Sequence, residues 1–154
     1  MKPSDLRLLN LTFLCIKIEV DPAYEGNASE FDFDGALIHW GLRHGRQSDD
    51  GLNWWVGVEF ATRSEEKKRC PYNIEVKAIG LFNVNEAFPQ EKLERFVFEN
   101  GAALVYGAIR EMVTMTTARS AFGAIMLPTA SFFGSFEEHQ KNTQEQEISE
   151  PQSN

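Results

Sequence analysis

The stretch from Asn100 to Phe132 constrains this chain more than any other, because it holds only three charged residues, Arg110, Glu111 and Arg119. Its first part reads as a helix, Ala102–Ala118, that is apolar around most of its circumference. Leu104, Ala108, Met112 and Met115 form one stripe, and Val105, Ile109, Val113 and Thr116 form the next. A small sheet can cover only one face of such a helix, so a second surface has to cover the rest. Gly101, Ala102, Ala103, Gly107 and Ala108 are small enough to let another element approach closely. The stretch closes on Met126-Leu127-Pro128-Thr129-Ala130-Ser131-Phe132.

Upstream the pattern alternates as strands do. Leu8–Val20 reads as a strand with Leu14, Ile16, Ile18 and Val20 on one face. Asp21–Glu30 is a loop marked by Pro22, Gly26 and Asn27. Phe31–His44 is a less regular strand, interrupted by Gly35 and Gly41, and Arg46–Gly51 is a polar turn. Leu52–Thr62 alternates most cleanly, and Tyr72–Val84 follows the charged turn Arg63–Arg69. Pro89 suits the first position of a helical segment, Gln90–Glu99, which Asn100-Gly101 breaks or kinks before the long helix. Phe132–Lys141 reads as a short second helix, with Phe132, Phe133 and Phe136 on one side. Four strands followed by helices imply an α+β fold with a four-stranded antiparallel sheet. One domain over 1–144 accounts for the chain, with a disordered acidic tail at 145–154.

The net charge is −8, and Glu19 to Asp34 carries six acids with no Lys or Arg. Phosphate affinity comes largely from Lys and Arg, so general nucleic-acid binding is not expected. The N-terminus shows no signal pattern, and no apolar run reaches membrane-spanning length. Cys15 and Cys70 stand far apart with no metal-ligand spacing. A cytoplasmic protein without stable membrane insertion is the expectation.

Residues that could carry chemistry are sparse. His39 and His44 sit five apart in a strand and point to opposite faces, while His139 lies near the acidic end. No metal site or cofactor is expected from them. No nucleophile elbow and no phosphate loop occurs. Arg110-Glu111 reads as a charged pair on a helix surface rather than a catalytic one. Of Trp54 and Trp55, one faces inward and one outward, for packing or for a ligand.

From Leu8 to Phe132 the chain resembles SecB, the bacterial export chaperone, and its SecB-like relatives. The strand Tyr72-Asn73-Ile74-Glu75-Val76-Lys77-Ala78-Ile79-Gly80-Leu81-Phe82 is similar to the last strand of that family, with its Glu-Val and its Gly-(Ile/Leu)-Phe end. Ala103–Thr117, with Tyr106, Arg110 and Glu111, resembles its long helix. Arg119 to Gly123, then Met126-Leu127-Pro128 and Phe132, resembles its closing turn and Leu-x-Pro segment. The family's proline where its long helix starts is absent here, and Ser131 replaces the Asn before the closing Phe.

The resemblance implies an ATP-independent holdase with no catalytic residue, no metal and no cofactor. It implies a homotetramer, a dimer of dimers, with Leu104, Val105, Ala108, Ile109, Met112 and Val113 at the oligomer interface. Unfolded preproteins, or an antitoxin in a toxin–antitoxin system, would be the clients. Their groove maps onto Tyr24, Phe31, Phe33, Phe132, Phe133 and Phe136, for which core packing is the alternative. Docking to the SecA motor maps onto Glu19 and Glu75, with Cys15 in place of a further Asp and Asn73 in place of a Leu. A hot-dog-type thioesterase or small-ligand binder, and a permanent oligomer with no accessible groove, are the competing readings.

Overall fold

The computed structural model describes residues 4–149 except 48 and 50, with side chains through 142. Four strands, β1 (Leu6–Val20), β2 (Leu37–Arg46), β3 (Asn53–Arg63) and β4 (Tyr72–Val84), precede two helices, α1 (Gln90–Thr117) and α2 (Ser135–Ser149). The sheet is antiparallel throughout, in the order β1-β4-β3-β2. One face is covered by α1, and no other helix or strand among the described residues covers the opposite face.

β3 and β4 supply the sheet half of the core. Trp54, Val56, Val58 and Phe60 alternate inward on β3, as Ile74, Val76, Ala78 and Phe82 do on β4, and all are buried. The helix half is one row at four-residue spacing. Leu93, Val97, Gly101, Val105, Ile109 and Val113 are all buried against the sheet.

That row explains why α1 is a single helix of 28 residues, not two segments broken at Asn100-Gly101. Gly101 is where the helix touches the sheet: a Cβ built there would lie 2.7 Å from Val56 Cγ2. Gly80 meets the helix from the other side, with its own Cβ position 2.8 Å from Val105 Cγ2. Glycine therefore serves close approach rather than a break. Pro89 lies just before the helix, at its cap.

β1 also departs from simple alternation. Its pairing with β4 shifts register between Leu8 and Asn10 and again between Phe13 and Cys15. Each shift moves the following side chains to the other face. Leu11 and Phe13 pack against the core, opposite Gly80 and Ala78. Beyond the second shift, Ile16 and Ile18 lie opposite Val76 and Ile74 on the same face. Leu14, expected beside them, is carried to the open face and is 63% exposed.

After α1 the chain turns back along it. The turn is tied to the sheet by Tyr72, whose hydroxyl donates to the Gly123 carbonyl at 2.7 Å and accepts from the Phe122 N–H at 3.1 Å. The returning segment is then held by polar side chains of α1. Ile125 N–H donates to the Thr117 hydroxyl, and the Thr114 hydroxyl donates to the Ile125 carbonyl. Arg110 Nε donates to the Leu127 carbonyl at 3.1 Å, and the Tyr106 hydroxyl to that of Pro128 at 2.7 Å. Arg110 is thus a backbone clamp rather than half of a surface pair with Glu111, which is exposed. Burial pushes the Tyr106 hydroxyl well above its ordinary range.

α2 starts three residues later than expected and runs through Ser149, so the backbone of 145–149 is helical where a disordered tail is expected. The remainder of that tail, 150–154, lies outside the described residues.

The contact at Gly101 yields a test. Gly101→Ala gains about 1 kcal/mol of helix propensity, but overpacking against fully buried Val56 costs roughly 1–3 kcal/mol. Net destabilisation is expected by chemical denaturation. Adding Val56→Ala should recover part of that loss, so the double mutant loses less than the sum of the singles. Additive losses would contradict the contact.

Candidate functional site

The loop after β1 carries the first aromatic patch. Asp21 anchors it. Its carboxylate accepts from the Ala23 N–H at 2.9 Å and from the Ser64 hydroxyl, with Arg69 at 3.4 Å. Those hydrogen bonds, that from Ser64 foremost, hold the carboxyl below its ordinary range. The Ala28 N–H donates to the Phe122 carbonyl and ties the loop to the turn after α1. Tyr24 then meets Phe122 edge-on at 5.1 Å and Phe31 at 6.2 Å, and Phe31 meets Phe33 at 4.9 Å. All four rings are half-buried, within a loop rimmed by exposed Glu25, Glu30, Asp32 and Asp34. The Lys68 ammonium sits 5.3 Å from the Phe31 ring.

The second patch is at the other end of the long helix. Phe88 stacks on Phe96 at 4.2 Å, and Phe133 stands 83% exposed with the Arg95 guanidinium 5.5 Å from its ring. Lys92, Glu99 and Asn100 complete an open cleft of about 630 Å³ with them. Its neighbours on the client list behave differently. Phe132 is buried against Trp40 and Tyr106, and Phe136 is buried against Phe98 and His44. Both are core residues here and not open walls. Phe88, Phe96 and Phe122 join the patches without having been expected. Pro89 and Gly123 beside two of them mark chain turns, which is the only signal the sequence offers.

A third surface lies between β1 and the outward side of α1. Val105, Ile109 and Val113, expected at an oligomer interface, are fully buried against the sheet of their own chain. Ala108 and Met112 are half-buried, and Leu104 and Met115 are exposed, 68% in the case of Met115. Leu8, Leu9, Ile16 and Val20 on β1 are exposed as well. β1 pairs with β4 alone, so its other backbone edge has no strand partner among the described residues.

Glu19 and Glu75 both lie on the open face of the sheet, where residues of β1 and β4 pair as Lys17 with Glu75 and Glu19 with Asn73. Their charge is locally offset. Lys17 is 3.3 Å from Glu19, and Lys77 is 3.6 Å from both Glu75 and Glu59. Cys15 contacts the Glu75 carbonyl at 3.8 Å. His39 and His44 face opposite sides of the sheet, as expected. Among the described residues no cluster of three or more His, Cys, Asp or Glu has the geometry to hold a metal ion. No helix among them is long and apolar enough to cross a membrane.

The sheet-and-helix fold leaves aromatic and aliphatic surface uncovered among the described residues, and exposed apolar surface of this kind marks interaction sites. The family model described as preprotein translocase subunit SecB matches residues 38–143, more than half of the chain, and the chain belongs to the SecB family of non-enzymatic chaperones. The fold is similar to that of the Mycobacterium tuberculosis SecB-like chaperone Rv1957, solved in complex with a ChAD peptide from the Rv1956 HigA1 antitoxin. The TM-score is 0.51 at 16% identity, over 82% of this chain and 91% of that one. No curated protein matches the sequence. Family membership and the position of α1 after all four strands set aside the hot-dog thioesterase reading.

The adjacent phenylalanines separate core from surface. Phe132→Ala should cost about 3–5 kcal/mol of stability, whereas Phe133→Ala should stay within about 0.5 kcal/mol of wild type. Equal losses in thermal or denaturant unfolding would contradict their opposite environments.

Proposed function

We propose that this SecB-family chaperone is an ATP-independent holdase that keeps non-native polypeptides soluble by covering their apolar segments. The observation that carries the reading is the pair of aromatic patches, Tyr24, Phe31 and Phe33 with Phe122, and Phe133 with Phe88 and Phe96. Ring faces and edges accept varied apolar side chains without demanding a fixed set of hydrogen bonds. Each side chain buried contributes roughly 1.5–3 kcal/mol before ordering costs. Several such contacts along one extended client add by avidity.

The same reading includes a cytoplasmic homotetramer. A long apolar edge strand invites aggregation unless it is paired or covered. Pairing of β1 with the β1 of a second copy would extend the sheet, and packing of Leu104, Ala108, Met112 and Met115 between copies would cover the rest of α1. Val105, Ile109 and Val113 then act inside each subunit. The clients fall into two classes, exported preproteins delivered to SecA, or an antitoxin. The charge balance around Glu19 and Glu75 favours the second, because Lys17 and Lys77 oppose the acidic surface that a basic docking partner needs.

Phe31→Ser with Phe133→Ser should reduce suppression of aggregation of a chemically unfolded protein while circular dichroism stays unchanged. Undiminished suppression sinks the proposed client surface. Leu104→Asp with Met115→Asp should lower the solution mass by at least half at unchanged fold. A wild type that is monomeric by light scattering counts against the assembly. Binding of the isolated SecA tail that is abolished by Glu19→Lys with Glu75→Lys would instead establish export docking.

A further inference from the structure

Two histidines that lie 95 positions apart in the chain meet between β2 and α2. The His44 ring on β2 is 5.6 Å from the His139 ring on α2. Both contact Phe98 of α1, at 4.9 Å and 5.0 Å, and His44 also contacts Phe136 at 5.9 Å. The Nε2 of His44 is 2.9 Å from a Glu94 carboxylate oxygen, while its Nδ1 is buried with no hydrogen-bond partner among the described residues. His44, Glu94 and His139, with Arg43, Trp55 and Gln140, surround an opening of about 410 Å³.

Among the residues that line this opening, Arg43 and the two imidazoles accompany one carboxylate, Glu94. On β3, Trp54 stacks parallel to His44 at 6.3 Å and brings no charge. On α1, Arg95 is engaged by Glu99 and by Glu137 of α2. That pair and the Gly134 N–H donating to Glu99 hold only the start of α2. Further along, among the described residues, α2 is packed through Phe136 and through the His139 ring, stacked on Phe98 at 27°. A protonated His139 would have to remain among aromatic rings beside a second imidazole.

We propose that His139, packed on Phe98 beside His44, is an acid-sensitive latch, whose protonation releases α2 from β2 and α1 and uncovers Phe98 and Phe136. Burial, with His44 beside it, holds the docked His139 imidazole below its ordinary value of 6.5. Undocked α2 therefore binds the proton more readily. Docking is undiminished above the ordinary value, weakens as pH falls below it, and levels off below the docked value. The released surface is aromatic, so acid enlarges the apolar area that the subunit presents. The latch is a property of the chain alone and does not depend on which client is bound.

Hydrogen exchange of the full-length protein tests this at about pH 7.5 and about pH 5.5, on either side of the ordinary imidazole range. In the wild type, protection of α2 should fall severalfold at the lower pH after correction for intrinsic exchange, while α1 stays protected. His139→Phe, which keeps the stacking and removes the charge, should hold α2 protected at both. Unchanged α2 protection in the wild type, or the same loss in His139→Phe, overturns the proposal. Proton NMR supplies a second readout. The His139 midpoint should lie below 6.5 in the wild type and return towards it in Phe136→Ala, where α2 loses its anchor. An ordinary midpoint in the wild type also overturns the latch.

Discussion

The contact of α1 with β3 and β4, closest where Gly101 meets Val56 and Gly80 meets Val105, sets everything else in this molecule. Two missing side chains let a helix of 28 residues lie low across the sheet and bury a six-residue row. Closeness there strengthens dispersion and removes apolar area from water. It also fixes which side of the helix faces away. Tyr106, Arg110, Thr114 and Thr117 are then turned to receive the returning segment, and Leu104 and Met115 are turned to solvent.

The returning segment shows how polar groups locate an apolar structure. Ile125 and Leu127 are buried without belonging to any helix or strand, so their backbone needs partners. Side chains of α1 provide them one after another, with Tyr72 closing the turn. This ladder delivers Phe132 to Trp40 in the core and leaves Phe133, the next residue, outside it. An exposed aromatic ring and a core contact are thus separated by one residue.

A chaperone of this family has to keep apolar surface available while staying soluble itself. Here the aromatic patches are rimmed by charge, acids around Tyr24 and Phe31, and Lys92, Arg95 and Glu99 around Phe133. Charged rims limit self-association while leaving ring surface exposed. In the proposed assembly, a second copy of the chain would cover the apolar edge at β1.

The strand pattern, the α+β order and the family resemblance were legible in the sequence because alternation and helical spacing are local. β4 spans Tyr72–Val84 as its pattern predicts, and β1 and β3 fall within two residues of expectation, whereas β2 starts at Leu37 rather than at Phe31 because the preceding residues belong to the loop after β1. Three features were not legible. Splitting the helix at Gly101 hid the row from Leu93 to Val113, since a glycine reads alike whether it breaks a helix or lets it approach a sheet. The β1 shifts that move Leu14 depend on pairing with β4, which periodicity within β1 cannot register. Phe132, Phe133 and Phe136 are chemically alike, and only the return path sorts them. Local pattern was enough to set the element types, the sign of the charge and the excess of apolar surface. Packing sorted the apolar residues into core and exposed surface, because burial is settled by neighbours distant in sequence.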